Sequence, residues 1–176
     1  MRPFAAAIAT GIEGDGRHMT RDDADAFGER ELVALAPALL AAARYLVRSD
    51  ADAADLVQAT LEIAVRRRAQ LRDPASLRPW LLAILSREAF GLRRRVRNLI
   101  SLEGSVIEVP VAGTSDDDLA VRAAVAQLPT RTRAAVVLHH MAGLSVAETA
   151  EAMGVTDNTV KTLLRLGLAR LREVLA

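Results

Sequence analysis

The stretch Gly143–Arg165 reads GLSVAETAEAMGVTDNTVKTLLR and decides the fold of the C-terminal part of the chain. Ser145 and, three residues later, Glu148 have the spacing of a capping box, in which each side chain accepts a hydrogen bond from the other residue's backbone N–H at a helix start. Gly154 predicts the end of that helix, because glycine tolerates the left-handed backbone of a tight turn. Thr156 is placed to cap a following helix. The stretch therefore predicts a helix-turn-helix.

The second of these helices predicts a DNA-reading surface. Its inward positions are apolar, namely Val160, Leu163, Leu164, Leu168 and Leu171. Its exposed side near the N-terminus is polar and cationic, with Asn158, Thr159, Lys161, Thr162 and Arg165. This is the arrangement of a recognition helix, whose N-terminal part enters the major groove. Polar groups there bond base edges, and cations reach phosphates, here Lys161, Arg165, Arg170 and Arg172. The alternative, an ordinary helical hairpin, does not need such a face.

In the N-terminal half of the chain the sequence predicts three more helices, and further helical segments at Leu119–Leu128 and through Val136–Leu138 precede the motif. From Leu32 the apolar residues recur at three- and four-residue spacing, and after a polar break at Ser49–Asp52 the pattern restarts and ends in Arg66–Arg68. Ser76 is placed to cap a third helix, which buries Trp80 as a core anchor and then runs into basic residues. The composition also favours helices, since 51% of the residues are hydrophobic but only 3% aromatic.

A break in pattern divides these helices into two domains. Residues 100–118 lack helical periodicity and hold glycine, proline, serine and three successive aspartates. We therefore predict an all-α protein of two small helical domains. The predicted segments are a disordered leader over residues 1–21, a helical domain over 22–98, a flexible linker over 99–118 and a helix-turn-helix domain over 119–176.

The charges are segregated along the chain. The net charge is only +1, but residues 20–62 hold nine acids against four arginines, whereas residues 87–97 hold five arginines against one glutamate. Such polarity favours one face that meets a basic partner and others that meet phosphate. The alternative is that both stretches are solvated helix faces.

Several chemistries are excluded or unsupported by the sequence. Because cysteine is absent, disulfides, zinc-thiolate sites and thiol catalysis are excluded, which fits a reducing cytoplasm. There is no glycine-rich phosphate loop, Ser/His/Asp set or paired-carboxylate motif, so neither an enzyme nor a cofactor is expected. His139 and His140 are adjacent and point about 100° apart on a helix, so they cannot hold one metal together. The weakly apolar N-terminal stretch predicts no membrane insertion.

The order of these pieces resembles the extracytoplasmic-function (ECF) sigma factors, which have two helical domains, region 2 and region 4, joined by a flexible linker. The resemblance covers nearly everything from Leu32 onward. In region 2, residues 52–61 (DAADLVQATL) resemble the family's Asp-Ala-Glu-Asp-Leu-Val-Gln-Glu-Thr-Phe. Further along, Trp80-Leu81 with Ile84 resembles the family's Trp-Leu-x-x-Ile-Ala-Arg-Asn helix. The region 4 positions that match are Leu128-Pro129, Arg133, Gly143-Leu144-Ser145, Glu148, Ala150, Thr159-Val160-Lys161 and Arg170-Leu171-Arg172.

The resemblance implies an RNA polymerase sigma factor that directs the core enzyme to specific promoters. It implies contact with the clamp helices of the largest polymerase subunit by Asp52, Asp55 and Gln58. It implies opening of the minus-ten element by a loop over residues 67–73 and the helix after it, with cations at Arg67, Arg68, Arg72, Arg87, Arg93, Arg94 and Arg95. It implies reading of the minus-thirty-five element by Asn158, Thr159, Lys161, Thr162, Arg165 and Arg170. An anti-sigma factor is a further expected partner.

The sequence departs from the family pattern mainly in region 2. Ala54 and Ala59 stand where the family usually has acids, and Leu61 and Val65 stand where it usually has aromatic residues. Ser86-Arg87 stands where the family usually has Arg-Asn. Fewer acids weaken the expected polymerase contact. Two alternatives stay open: a helix-turn-helix regulator that binds DNA without polymerase and uses its N-terminal block for dimerisation or sensing, and a sigma-like decoy that binds an anti-sigma factor without initiating transcription.

Overall fold

The structure, a computed structural model, describes residues 28–100 and 116–175, where the regular elements are helices and no strand is found. The N-terminal domain, residues 28–100, contains three helices and two short 3₁₀ turns. Its elements in chain order are α1 (Glu29–Leu46), α2 (Asp50–Arg66), the turns Arg68–Gln70 and Pro74–Ser76, and α3 (Leu77–Ile100).

The C-terminal domain, residues 116–175, contains four helices, of which the second ends in a π-helical turn. They are α4 (Asp116–Ala126), α5 (Thr130–Val136) with its π-helical turn Val137–Met141, α6 (Val146–Met153) and α7 (Asp157–Leu175). The predicted all-α, two-domain fold is confirmed. None of the described helices is both long and apolar enough to cross a membrane.

The start and end of α2 follow from local chemistry. The Ser49 hydroxyl accepts a hydrogen bond from the Asp52 N–H at 3.0 Å, and the first-turn acids interact favourably with the helix dipole. The prediction that this helix continues through Arg68 is wrong, because the helix ends at Arg66. The chain tightens into a 3₁₀ turn there, which brings Leu71 into the core at 3% exposure.

The 3₁₀ turn before α3 is capped by Asp73, and the predicted cap residue Ser76 directly precedes the helix. The Asp73 carboxylate accepts the Ala75 N–H at 3.0 Å and the Ser76 hydroxyl at 3.2 Å. Pro74 fits between them because its missing N–H needs no partner at the start of a turn. The loop is therefore closed by a carboxylate, which is a stronger acceptor than a hydroxyl.

The ends of the predicted linker are helical. Helix α3 continues to Ile100 and α4 begins at Asp116, so residues 99–100 and 116–118 belong to helices. Three successive aspartates open α4, where the helix dipole favours negative charge, and this explains why the helix starts earlier than its apolar pattern does. The middle of the linker, residues 101–115, and the predicted leader, residues 1–21, lie outside the described residues.

The buried apolar residues of the two domains form one continuous core. In the N-terminal domain Trp80 is 1% exposed, as predicted for a core anchor, and α1, α2 and α3 all pack against one another. In the C-terminal domain α7 packs against α4, α5 and α6. The crossing of α7 over α5 is close, since a Cβ at Gly167 would lie 2.6 Å from the Cγ2 atom of Val136.

The two domains also pack against each other. Helix α3 contacts α6, and α1 contacts both α4 and the π-helical turn. A flexible linker predicts domains that are only loosely tethered, but the structure shows them docked. The helix-turn-helix is thereby held against the third helix of the N-terminal domain.

Candidate nucleic-acid interface

The start of the helix-turn-helix is fixed by the predicted capping box. The Ser145 N–H donates to Glu148 Oε2 at 2.8 Å, and the Glu148 N–H donates to Ser145 Oγ at 3.1 Å. Side-chain and backbone hydrogen bonding with Ser145, and then the nearby Arg78 guanidinium, hold the pKa of Glu148 below its ordinary value although burial opposes them. The carboxylate is therefore ionised at neutral pH, the form that best accepts the hydrogen bond from the Ser145 N–H.

The turn has the predicted geometry. Gly154 lies in the left-handed region with φ of +66°, and the Val155 N–H bonds the Ala150 carbonyl at 3.0 Å. Thr156 then caps α7, because its hydroxyl accepts the Thr159 N–H at 3.3 Å. These contacts set the angle at which α7 leaves the turn.

The structure brings four of the predicted DNA-reading side chains onto one exposed face of α7. Asn158, Lys161, Thr162 and Arg165 are all exposed, and their spacings of three and four residues place them within an arc of about 100°. Val160 and Leu164, on the opposite side, are buried. The helix is therefore anchored on one side and presents two cations and two hydrogen-bonding side chains on the other.

The remaining predicted residues of α7 lie to the side of this face. Thr159 is exposed about 100° around the helix from Asn158, and its hydroxyl is 2.9 Å from that of Thr156. Arg170 is about 140° around from Arg165 and forms an ion pair with Glu173 at 2.9 Å. Arg172, two turns after Arg165, returns to the same face.

In the N-terminal domain the predicted cations lie in the loop between α2 and α3 and on α3. Burial, and then the positive charge of Arg67, lower the pKa of Arg87. Arg67 and Arg72 are exposed, whereas Arg68 and Arg87 are half-buried. The side chains of Arg93, Arg94 and Arg95, at the basic end of α3, lie outside the described residues.

The three residues predicted to bind polymerase share one side of α2. Asp52, Asp55 and Gln58 are exposed, and Gln58 Nε2 donates to Glu62 Oε1 at 3.1 Å. Helical spacing places the four side chains within an arc of about 120°. We call these four residues the acidic row.

An apolar groove that the sequence did not predict runs beside the acidic row. It lies between α1 and α2 and has a volume of about 1030 Å³. Val33 and Val65 on its walls are 68% and 54% exposed. It is lined by Leu32, Val33, Ala36, Pro37, Leu40, Ala54, Val57, Gln58, Leu61, Glu62, Val65 and Arg66. Val33, an apolar residue outside the predicted stripe of α1, was the one sequence signal for it.

Two further positions have roles that the sequence did not indicate. His139 Nδ1 lies 2.6 Å from the Leu144 carbonyl, and because a carbonyl only accepts, the ring donates this hydrogen bond and steadies the approach to α6. Asp50 pairs with Arg122 of the other domain at 2.9 Å and with Arg44 at 3.5 Å. The Asp50–Arg122 contact joins residues 72 positions apart, too far to be recognised as a sequence motif.

Fold and surfaces together define a two-domain helix-turn-helix protein with an exposed polar and cationic helix face in one domain and an acidic row in the other. Known protein families divide the chain in the same way. The model for "Sigma-70 region 2" matches residues 32–98, and the model for "Sigma-70, region 4" matches residues 118–171.

Individual relatives lead to the same family. The chain is 30% identical over 128 residues to the RNA polymerase sigma factor SigV of Bacillus subtilis, covering 72% of this chain and 77% of the relative. It is 32% identical over 135 residues to the ECF RNA polymerase sigma factor SigM of Mycobacterium tuberculosis, covering 76% and 69%. The chain belongs to the ECF RNA polymerase sigma factors, and its function is that of a sigma factor in transcription initiation.

Two solved structures have a similar fold. The sigma factor RpoE from Bartonella quintana, in complex with the anti-sigma factor NepR, superposes with a TM-score of 0.73 at 30% identity and covers 84% of this chain and 95% of that one. CnrH, in complex with the cytosolic domain of CnrY, superposes with a TM-score of 0.63 at 23% identity, covering 98% and 94%. The second likeness concerns the fold alone.

Proposed function

We propose that this sigma factor divides its work between specific residues of its two domains. Region 4 reads the minus-thirty-five element through the exposed face of α7. Region 2 opens the minus-ten element with the arginines around the α2–α3 loop and binds the polymerase clamp helices through the acidic row. The observation that carries this proposal is the cluster of Asn158, Lys161, Thr162 and Arg165 on one exposed face of the second helix-turn-helix helix.

The face of α7 suits a major groove. A recognition helix needs hydrogen-bonding side chains toward base edges and cations toward phosphates, and this face has two of each. Its apolar side is fixed by buried Val160 and Leu164, so the polar side has a defined orientation. Arg170 stands apart from these residues. We assign it to a peripheral phosphate contact that would replace its ion pair with Glu173.

The arginines of region 2 suit a single-stranded backbone. Burial, and then the positive charge of Arg67, lower the pKa of Arg87, so a bound phosphate would offset the repulsion between these two cations. Arg72 and the half-buried Arg68 complete the loop. We extend this assignment to Arg93, Arg94 and Arg95 on the sequence resemblance alone.

The acidic row and the apolar groove beside it suit a basic, amphipathic helical partner. Interfaces commonly combine an apolar centre with a charged rim that gives orientation and speeds encounter. We propose that the partner is the polymerase clamp. An anti-sigma factor is a second proposed partner, because the similar RpoE chain was solved with one. We place the protein in the cytoplasm, where its polymerase and promoter would be.

Promoter reading is tested by in vitro transcription with core polymerase and the double variant Lys161→Ala/Arg165→Ala. Two lost contacts to bases or phosphates should lower promoter-dependent transcript by about tenfold or more at low salt, and by less at higher salt. Arg131→Ala is the matched control, because Arg131 is an exposed cation of the same domain away from α7. Equal transcript from the double variant and the control would contradict the assignment.

Polymerase binding is tested by the affinity of labelled chain for core enzyme. Asp52→Ala/Asp55→Ala removes two exposed charges, each worth at most about 1 kcal/mol, so the Kd should rise roughly fivefold at low salt and less at high salt. Asp117→Ala, an exposed acid in region 4, is the control. An unchanged Kd for the double variant would remove the acidic row from the interface.

The two alternative functions give different results in these assays. Two weak sites on one tether gain affinity only when polymerase holds both, so the free chain should bind promoter DNA poorly. A tight footprint on a palindrome without polymerase would favour a simple regulator. Tight binding to core enzyme or to an anti-sigma factor with no transcript from any promoter would favour a decoy.

A further inference from the structure

None of the described residues fills the apolar groove between α1 and α2. Its volume, about 1030 Å³, lies at the upper end of the range for ligand pockets in proteins. Val33 and Val65 on its walls are largely exposed. Exposed apolar surface bordered by charged residues, here the acidic row, is typical of an interaction site. The groove therefore has the form of a docking site.

The groove also carries a backbone hydrogen-bond acceptor. Pro37 lies inside α1 and has no N–H, so the Val33 carbonyl, four residues earlier, lacks the donor that an ordinary helix supplies. Both residues line the groove. An occupant with N–H groups can bond this carbonyl, which favours a polypeptide over a purely apolar molecule.

The two ends of the groove carry opposite charges. Asp52 and Asp55 of the acidic row are exposed near the start of α2, and Arg66 and Arg67 are exposed at its end. Arg66 lies 3.9 Å from Glu62, a contact between exposed side chains that another anion can replace at little cost. An occupant that is basic at one end and acidic at the other would match both ends.

Gly28, where the described part of the chain begins, lies at the basic end of the groove. Helices α1 and α2 pack together and are joined by only three residues, 47–49, so they form an antiparallel hairpin. The start of α1 is therefore beside the end of α2. The residues that precede Gly28 join the molecule at this end.

The sequence before α1 contains an apolar segment of suitable length. Residues 3–9 read PFAAAIA, and we call them the leader segment. Phe4 and Ile8 are four positions apart, the spacing of anchor side chains in peptides that dock as helices into apolar grooves. Seven residues measure about 10 Å as a helix and about 23 Å when extended, and α2 runs along the groove for about 18 Å.

The charges beside the leader segment favour one orientation in the groove. Arg2 precedes the segment, and Glu13 and Asp15 follow it. With Arg2 at the acidic end, the last residue of the segment comes to the basic end, where Gly28 lies. Residues 10–27 then close a loop of 18 residues between two neighbouring points, and the cost of closing such a loop grows only slowly with its length.

We propose that the leader segment occupies the apolar groove of region 2, with Phe4 and Ile8 between the walls of α1 and α2 and Arg2 beside the acidic row. Its backbone N–H groups supply donors for the Val33 carbonyl. Because the segment is tethered to α1, its effective concentration at the groove is high, and a weak contact is enough to keep it there.

Docking of the leader segment has a consequence for polymerase binding, which rests on the function proposed above. Gln58 and Glu62 line the groove and also belong to the acidic row, so the docked segment covers part of the surface assigned to the clamp helices. Polymerase then binds with an affinity reduced by the fraction of chain whose groove is empty. The leader segment is therefore a built-in competitor of the polymerase.

Docking is tested by cross-linking within the full chain. The protein has no cysteine, so Ala5→Cys in the leader segment and Ala54→Cys, exposed in the groove, form one reactive pair. Ala5→Cys/Ala69→Cys is the matched pair, because Ala69 is exposed in the turn after α2, outside the groove. With a short bis-maleimide at low protein concentration, the groove pair should link within one chain at least about tenfold faster than the matched pair.

Substitution of the anchors tests what holds the segment. Burying the side chain of Phe4 or Ile8 contributes about tenfold or more, so Phe4→Ser/Ile8→Ser should lower the ratio of docked to free segment by about a hundredfold. The groove pair should then link no faster than the matched pair. Ile12→Ser, an apolar position outside the segment, is the control and should leave the rate unchanged.

Three results would overturn the docking proposal. They are equal linking rates for the two pairs in the parent chain, an unchanged rate for the groove pair after Phe4→Ser/Ile8→Ser, and links that join two chains in place of one. The last result would assign the groove to a second copy of the protein.

Competition with polymerase is measured separately, in chains without added cysteine. Phe4→Ser/Ile8→Ser should bind core enzyme several-fold more tightly than the parent chain and Ile12→Ser, and an equal or higher Kd would overturn the competition. If no form of the chain bound core enzyme, the proposed function would fail, while the cross-linking rates would still decide whether the leader segment docks.

Discussion

Replacing Gly167 by alanine tests how tightly the recognition helix is seated. A Cβ there would lie 2.6 Å from the Cγ2 atom of Val136 and 3.1 Å from that of Thr132. Carbon atoms in good contact are about 3.5–4.0 Å apart, so the closer pair would overlap by about 1 Å. Val136 is 1% exposed and β-branched, and such a side chain in a helix has essentially one rotamer. The helix itself has to move.

We expect Gly167→Ala to lower the free energy of unfolding of region 4 by about 1 kcal/mol. Overpacking typically costs about 1–3 kcal/mol, and the better helix propensity of alanine offsets up to about 1 kcal/mol of this. In a domain of this size the midpoint of thermal unfolding should fall by about 4–8 °C per kcal/mol. Circular dichroism measures the transition, while fluorescence of the single tryptophan, Trp80, follows region 2.

Gly91→Ala is the matched control for this experiment. Gly91 also lies within a helix, α3, but a Cβ there would meet nothing within 4 Å, so alanine should stabilise by about 0.5–1 kcal/mol. Shortening the obstructing side chain in Gly167→Ala/Val136→Ala should remove the overlap and give a favourable coupling between the two sites. The reasoning is refuted if Gly167→Ala is as stable as the parent chain.

Further predictions concern the start, turn and support of the helix-turn-helix. Ser145→Ala should cost about 1 kcal/mol in urea unfolding at neutral pH, because it removes the hydroxyl that accepts at the start of α6. Hydrogen bonds from Ser145 lower the pKa of Glu148 in the folded chain. Their contribution to stability is therefore present above the unfolded-state pKa and is lost as the pH falls through the lower folded-state pKa. Because a glutamine cannot titrate, Glu148→Gln should lose less stability between neutral and acidic pH than the parent. A steeper loss in that variant would contradict this. Gly154→Ala should cost about 1–2 kcal/mol, because φ is +66° there, and an unchanged urea midpoint would count against the turn geometry. Arg133→Met should cost about 1–3 kcal/mol by calorimetry, because two backbone carbonyls around the end of α4 lose their donor, and a smaller loss would mean that water replaces it.

The features that the sequence predicted correctly are those with local causes. The capping box at Ser145, the left-handed turn at Gly154 and the cap at Thr156 each depend on residues within four positions of one another. The core position of Trp80 and the inward faces of the helices follow from periodicity. The exposed face of α7 follows from the same pattern, because the residues that a helix does not bury face the solvent.

The features that the sequence did not reveal depend on long-range contacts. Leu82 and Ser86 lie off the apolar stripe of α3 and are nevertheless buried, in a helix that packs against region 4 as well as its own domain. The Asp50–Arg122 contact joins residues 72 positions apart. The glycine at 167 has no local reason to be there, and only the crossing with α5 explains it. The roles assigned to individual polymerase- and DNA-binding residues stay predictions.

One measurement tests the central claim most directly: in vitro transcription from a matched set of promoters with core polymerase and the purified chain. The account predicts a transcript with a defined start that requires both core enzyme and this chain, and that is lost when either the upstream or the minus-ten element is scrambled. A chain that binds core enzyme yet yields no promoter-dependent transcript anywhere in the set would contradict it.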